Sequence, residues 1–479
     1  MIVHSKPKVS GTGAITSPPT TYRCGSLTYT ARGLALLFFW LLWGDFCFML
    51  MENVVPSLMP LKLKSLGAPN VAIGAIIITL PQAVNTIFNP IISFQSDRFR
   101  SHWGRRIPFI VVSMPFLVLS LIALGYGDLM GLWLYHFVWM PVTGISQNMA
   151  IIGTFGLIMI IFGFFNTFVN STFWYLFNDV VPEHLLARFM SWFRMISLIS
   201  ISLYNFLVFP YASSHFREIL LWTALLYLAG FGLMCFKVKE GSYPPAPPVT
   251  EYGTGNISGI KIFIKECFSI RHYWWLFLGN FFFSCYVSTL PFMVFLYQGT
   301  GLDLDHIGKI QAALNISTAL AVLGAGWLAD RYHPIRVVLG GQIIQVAVVL
   351  PANCIWLFWH PGSSAAFYVW MASSLILSAP VAAFISMSDP PLLMRLFPRE
   401  RYGQFCAANA MCKSAGVVIG GLFTGLFLDL LSRCVGPVAE YEFLPIAQII
   451  FTLPVLFYLY KLYRSWKYLG GDASYVAPL

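Results

Sequence analysis

The chain has 479 residues, 58% of them hydrophobic and only 10% charged, with 29 Lys and Arg against 19 Asp and Glu. Average soluble domains carry roughly 25% charged residues, so this composition excludes a soluble enzyme and points to a membrane protein. The net charge of +10 raises nucleic acid or acidic lipid as partners, but its placement along the chain assigns it to membrane topology.

Residues 1–31 are rich in Ser, Thr, Gly and Pro and read as a disordered N-terminal segment with no signal-peptide cleavage site. Twelve apolar segments follow, at 32–54, 70–94, 106–127, 150–177, 188–211, 217–236, 272–297, 307–328, 336–358, 366–388, 404–429 and 442–462. Each has about the 20 residues needed to cross a hydrocarbon core. The stretch 128–149 is also hydrophobic, but Gly131, Pro141 and Gly144 read as a surface loop. The first six spans make one half (32–236) and the last six another (272–462), with a linker at 237–271 and a tail at 463–479.

The linker contains Pro244–Pro245–Ala246–Pro247–Pro248, an extended spacer. Beyond it Ile260, Phe263, Ile264, Cys267 and Phe268 fall at helical spacing, which predicts a short helix on the membrane surface or packed beneath the bundle. With residue 1 in the cytoplasm, 22 of the 29 Lys and Arg are cytoplasmic, 5 lie outside and 2 lie in spans. That asymmetry places both termini in the cytoplasm and leaves no role for nucleic acid. Nine cysteines without a CxxC pair read as apolar packers, giving neither a disulfide framework nor a metal site.

Two features repeat between the halves. The basic turn 96–106, with Asp97, Arg98, Arg105 and Arg106, follows the second span, and Asp330, Arg331 and Arg336 follow the eighth. Pro182–Glu183–His184 after the fourth span is matched by Pro398–Arg399–Glu400 after the tenth. An internal repeat of membrane helices is the pattern of proteins that move solutes by rocking one half against the other. The aspartates and arginines of the two basic turns, Asp97, Arg98, Arg105, Arg106, Asp330 and Arg331, are then expected to pair in one conformation and part in the other.

Asn89–Pro90 followed by Ser96–Asp97–Arg98 and by Arg100–Ser101–His102–Trp103–Gly104–Arg105–Arg106–Ile107–Pro108–Phe109 resembles the major facilitator superfamily. Within it the chain is most similar to the glycoside–pentoside–hexuronide:cation symporters of the melibiose permease type, and a similar string occurs in plant-type sucrose carriers. The resemblance covers all twelve spans in layout and four or five segments at motif level. It implies an all-α polytopic membrane protein with twelve transmembrane helices in two pseudo-symmetric six-helix bundles. The implied function is that of a secondary transporter rather than an enzyme, working by alternating access, with no cofactor. A monomer in the plasma or bacterial inner membrane is expected.

Asp45, Arg194 and Lys413 are the charged residues well inside the predicted spans. Charge in hydrocarbon costs about 3 kcal/mol per residue on insertion scales, so such groups normally face a cavity. Trp43–Gly44–Asp45–Phe46 matches the family region whose aspartate binds sugar hydroxyls; Glu52 shares that helix face. Asn166, Asn170, Trp174 and Asn178 recur every four residues and line one face of the fourth span. Asn170–Ser171–Thr172–Phe173–Trp174 resembles the family string in which an aspartate and a tryptophan hold the sugar ring, with Asn170 in the aspartate's place. Arg194 aligns with a family arginine that binds the sugar.

Asn85 and Asn89 stand where the family has the aspartates of its sodium site, and Lys413 matches the lysine facing them. Without those carboxylates a sodium site lacks compensating charge. A proton is therefore the expected coupling ion, exchanged through Asp45 and Lys413, with sodium less favoured. Asn280, Gln311 and Asn315 are further cavity-lining amides, and Gly416, Gly420, Gly421 and Gly425 read as a packing face. The expected solute is a sugar or glycoside. The alternatives are a lysophospholipid-type carrier and an uncoupled sugar facilitator.

Overall fold

The computed structural model describes residues 22–139, 146–243, 265–357, 364–398, 401–436 and 438–478. Its N-terminal half begins with a hairpin of β1 (Tyr22–Cys24) and β2 (Leu27–Tyr29) and then α1 (Ala31–Ser65). Next, α2 (Asn70–Gly74) runs through a wide π-type turn (Ala75–Thr79) into α3 (Leu80–Arg98). Then come α4 (Ile107–Gly125), α5 (Gly127–Leu134), α6 (Gln147–Val180) and α7 (Glu183–Leu207). The half closes with α8 (Phe216–Leu226) and α9 (Gly232–Lys237), joined by a second wide turn, Tyr227–Phe231.

The other half comprises α10 (Arg271–Val287), α11 (Met293–Gly299), α12 (Leu304–Arg331), α13 (Pro334–Ile344) and α14 (Leu350–Cys354). It ends with α15 (Ser364–Leu396), α16 (Tyr402–Val435), α17 (Leu444–Tyr468) and α18 (Gly471–Ser474).

Ten of the described helical segments are long and apolar enough to cross a bilayer. The fifth and eighth spans, α7 and α12, complete the twelve. They pack against each other across the seam between the halves, where Asn205 and Gln311 line a shared cavity. A second helix pairing across the seam joins α2 and α3 to α16. These two pairs, fifth with eighth and second with eleventh, are exchanged by the pseudo-twofold axis.

Small residues set the approach of the helices. A Cβ on Gly74 would come within 2.6 Å of the Gly421 carbonyl oxygen, and one on Gly425 within 2.5 Å of Val71 Cα. Gly416 and Gly420 press instead on Phe281 and Cys285 of α10, so the glycine face of α16 serves both halves. Lipid supplies no hydrophobic force between helices, so such close packing is a main source of association.

Several expectations are corrected. Residues 22–29, counted within the disordered N-terminus, form the hairpin, because Cys24 reaches the carbonyl oxygens of Asp179 and Val181 and Ser26 bonds to Ser242. The 128–149 loop starts as helix: α5 continues through Tyr135–Trp139 and packs on α6, and Gly131 permits this by lying 2.7 Å (from an added Cβ) from Ile151 Cα. Pro141 and Gly144 lie outside the described residues, as do the Pro244–Pro248 run and Ile260, Phe263 and Ile264 of the linker.

The first span does not stop at 54. It passes Pro56 and Pro60, with Ser57 Oγ donating to the carbonyl oxygens of Asn53 and Val54 at 2.8 and 3.0 Å. The tenth runs past Pro390 and Pro391 to Leu396. The tail at 463–479 is docked: Tyr475 donates to the Leu396 carbonyl oxygen, Tyr273 to that of Pro478, and Arg336 pairs with Asp472.

Candidate functional site

The basic end of the bundle carries Arg98–Arg106 and Arg331–Arg336; the far end carries the α1–α2 and α16–α17 connections. At the far end the halves are tied together. The Asp429 carboxylate accepts the backbone N–H groups of Asn70 and Val71 at 2.8 and 2.9 Å, capping α2 from the other half. Asn70 also accepts from the Tyr441 hydroxyl at 2.5 Å and donates to Glu440, which pairs with Lys64 at 3.5 Å. Toward the middle, Thr79 donates to the Val418 carbonyl oxygen and Gln82 to Ser414 Oγ at 2.7 Å.

At the basic end the ion pairs of Arg105 and Arg106 with Asp179 lie within their own half. Arg105 holds Asp179 with two hydrogen bonds, at 2.9 and 2.5 Å, and Arg106 reaches the same carboxylate at 3.2 Å and Ser96 at 2.5 Å. Glu240, just past α9, accepts the backbone N–H groups of Arg105, Arg106 and Ile107 at 2.9, 2.9 and 2.6 Å. This replaces the expected partners of the basic turn: its arginines are held by Asp179 and Glu240 of their own half. The side chains of Asp97 and Asp330 lie outside the described residues. Arg331 lies over the Tyr332 ring, and Arg98 is half-buried. The far end thus carries ties between the halves, whereas Arg105 and Arg106 at the basic end are held by groups of their own half.

In mid-bundle, Asp45 is fully buried and accepts from Ser197 Oγ of α7 at 2.8 Å. Arg194, one turn earlier on α7, is exposed and interacts electrostatically with Asp45. Trp174, 41% exposed, sits edge-on to Phe193 with centroids 5.0 Å apart. Below them Phe48, Phe173, Phe177 and Phe231 pack face and edge, with Phe173–Phe231 at 5.1 Å. Such pairs contribute about 1 kcal/mol each beyond their burial and hold α1, α6 and the Tyr227–Phe231 turn together. Asp45, Trp174 and Arg194 are thus brought together.

Asn166 donates to Glu52. Asn170, between Asn166 and Trp174 on the same face, makes no side-chain hydrogen bond among the described residues. Asn89 accepts from Ser171 Oγ at 2.7 Å, while Asn85 makes no side-chain bond among the described residues. The side chain of Asn178 lies outside them.

The expected Asp45–Lys413 pair is not formed. Lys413 Nζ lies 2.6 Å from Asp389 Oδ2 of α15, within its own half. Asp389 was missed because the following Pro390–Pro391 reads as a helix end; the helix continues and carries the acid inside. Asn280 donates to Asn409 at 2.7 Å beside this pair's helix. Gln311 lines a cavity of about 340 Å³ between the halves, with Asn53 and Ser57 of α1 and Asn205 of α7. Asp179, Glu240 and Asp429 were also missed, since each stands at a span end where sequence alone offers no partner.

The sequence matches the family model described as Major Facilitator Superfamily over residues 41–421, and again over 276–465. No curated protein matches it. Among solved structures, a bacterial homolog of the human lysosomal transporter Spinster, in an inward-facing and unoccupied conformation, superposes with a TM-score of 0.64 at 13% identity, covering 91% of this chain and 98% of that one. A variant of the nucleoside transporter NupG gives 0.64 at 14% identity over 90% and 100% of the two chains. A D-xylose–proton symporter gives 0.64 at 11% identity over 90% and 98%. At such identities the likeness is one of fold.

Proposed function

Because the chain belongs to the major facilitator superfamily, we propose that it is a secondary transporter of a sugar or glycoside, driven by protons in preference to sodium. The family makes it an integral membrane transporter and not an enzyme. By the positive-inside rule the basic end faces the cytoplasm with both termini, in the plasma or bacterial inner membrane. The contacts of Asp429 and Glu440 across the halves then lie on the outer side.

One observation carries the sugar reading: within the N-terminal half Asp45 of α1 meets Ser197 and Arg194 of α7, and Trp174 of α6 packs on Phe193 beside Arg194. A carboxylate accepts two hydroxyls in a fork, a guanidinium donates in a plane, and an indole offers a flat apolar face. Asn170, with no protein partner among the described residues, adds an amide on the same face. Sodium is disfavoured because Asn85 and Asn89 supply no carboxylate and Lys413 is matched by Asp389. In the cycle, the Asp429 and Glu440 contacts part to admit solute from outside, then re-form as the basic end opens to release it.

Purified protein in liposomes, offered radiolabelled mono- and disaccharides under an imposed proton or sodium gradient, tests this. Sugar accumulates with the proton gradient, and Asp45→Ala weakens sugar binding about 10- to 100-fold, as expected for the loss of charged hydrogen bonds worth about 1.5–3 kcal/mol. Binding undiminished in that variant overturns the site. Uptake of lysophospholipid in place of sugar replaces the reading with a lipid carrier, and gradient-independent equilibration replaces symport with a facilitator.

A further inference from the structure

Seven residues along α1 from Asp45, Glu52 is a second acid inside the N-terminal half, and sugar binding gives it no task. Its Oε1 accepts a hydrogen bond from Asn166 Nδ2 of α6. The remaining groups around it are neutral. Tyr227, from the wide turn of the sixth span, lies within electrostatic reach, with Cys47 and Cys235 about the same ring. Asp45 lies two turns down the same helix and has Arg194 and Ser197 as its own partners. Among the described residues no cation forms an ion pair with Glu52.

Two polar atoms beside it are left over. Asn166 Oδ1 and the Tyr227 hydroxyl are both buried with no hydrogen-bond partner among the described residues. An amide oxygen needs a donor. A carboxylate has none to give, whereas a carboxylic acid has one. With a proton on Oε2, Glu52 can donate to Asn166 Oδ1 while still accepting from Asn166 Nδ2, a closed acid–amide pair. Asn53, the next residue along α1, and Ser57 beyond it toward the far end line the 340 Å³ cavity between the halves.

We propose that Glu52 is the proton-binding residue of the transport cycle, positioned by Asn166. When the far end opens, water in the cavity delivers a proton, and a carboxylate lone pair forms the O–H bond. When the basic end opens, that bond breaks and the proton leaves to water on that side. The assignment rests on the proton-coupled reading above, and it moves coupling from the Asp45–Lys413 pair to the Glu52–Asn166 pair.

Glu52→Gln is the test, since a glutamine can make both bonds to Asn166 and keep the fold but cannot release a proton. In liposomes it should exchange labelled sugar across the membrane like the parent, yet fail to concentrate it under a proton gradient. Infrared difference spectra of the purified protein should show a protonated-carboxyl carbonyl band that Glu52→Gln abolishes and Asn166→Ala shifts. A Glu52→Gln protein that still concentrates sugar, or that retains the band, overturns the proposal. Should neither protein move sugar, the sugar reading fails, and the infrared band alone decides the role of Glu52.

Discussion

Lys413 and Asp389 are each about a third exposed, so water already screens their attraction. A pair of this kind contributes about 1 kcal/mol or less. Lys413→Ala and Asp389→Ala should therefore each lower stability modestly, and the double variant should lose little more than either. A double-mutant cycle read by thermal unfolding in detergent checks this. His333 gives a residue-scale pH prediction. Burial, helped by the nearby Arg395, pushes its imidazole down to about 4, and its Nδ1 accepts the Ile335 N–H at 3.3 Å, the neutral form. The unfolded chain binds a proton below the ordinary value of 6.5 while the folded one does not. Stability at this turn is therefore full above that value and falls as pH drops toward 4. Melting temperatures across that window should fall less steeply for His333→Gln. Of these residues only Lys413 stood out in the sequence. Asp389 hid behind two prolines, and His333 became informative only once Trp466 was found against its ring, with centroids 4.4 Å apart.

At the scale of elements, one tie across the seam is a helix start. Asp429 on α16 accepts two N–H groups at the head of α2, where unsatisfied donors and the helix dipole both favour a negative charge. Asp429→Ala removes both bonds, and a charge-assisted hydrogen bond is worth about 1.5–3 kcal/mol. The balance should move at least about 10- to 100-fold toward the far-end-open state, measured as faster labelling of a cysteine placed at Ser57, which lines the cavity between the halves. Labelling no faster than in the parent would show that the latch does not govern closure. The glycine face of α16 was legible from its spacing. That its upper part meets the other half while its lower part meets α10 was not, because a small-residue stripe does not say which neighbour it admits.

For the whole molecule, the ties of Asp429 and Glu440 cross the seam at the far end, while Arg105 and Arg106 at the basic end are held by Asp179 of their own half. If the halves rock as units, the two ends must move reciprocally. Spin labels at Phe99 and Tyr332, both exposed at the basic end, should approach each other as labels across the far end separate. Asp429→Ala should drive the same change without substrate. Twelve spans in two halves followed from the sequence alone, since bilayer thickness and backbone hydrogen bonding act on each segment locally. The convergence of Asp45 with Arg194 and Trp174 was also within reach, because buried charge and amide periodicity mark a wet face. Partner choice was decided only by tertiary structure: Lys413 with Asp389, Arg105 with Asp179, Glu52 with Asn166, Asn70 with Asp429. An ion or amide inside a membrane must find a partner, but which one depends on how helices far apart in the chain are rotated and set against each other. That is fixed by packing along their whole length.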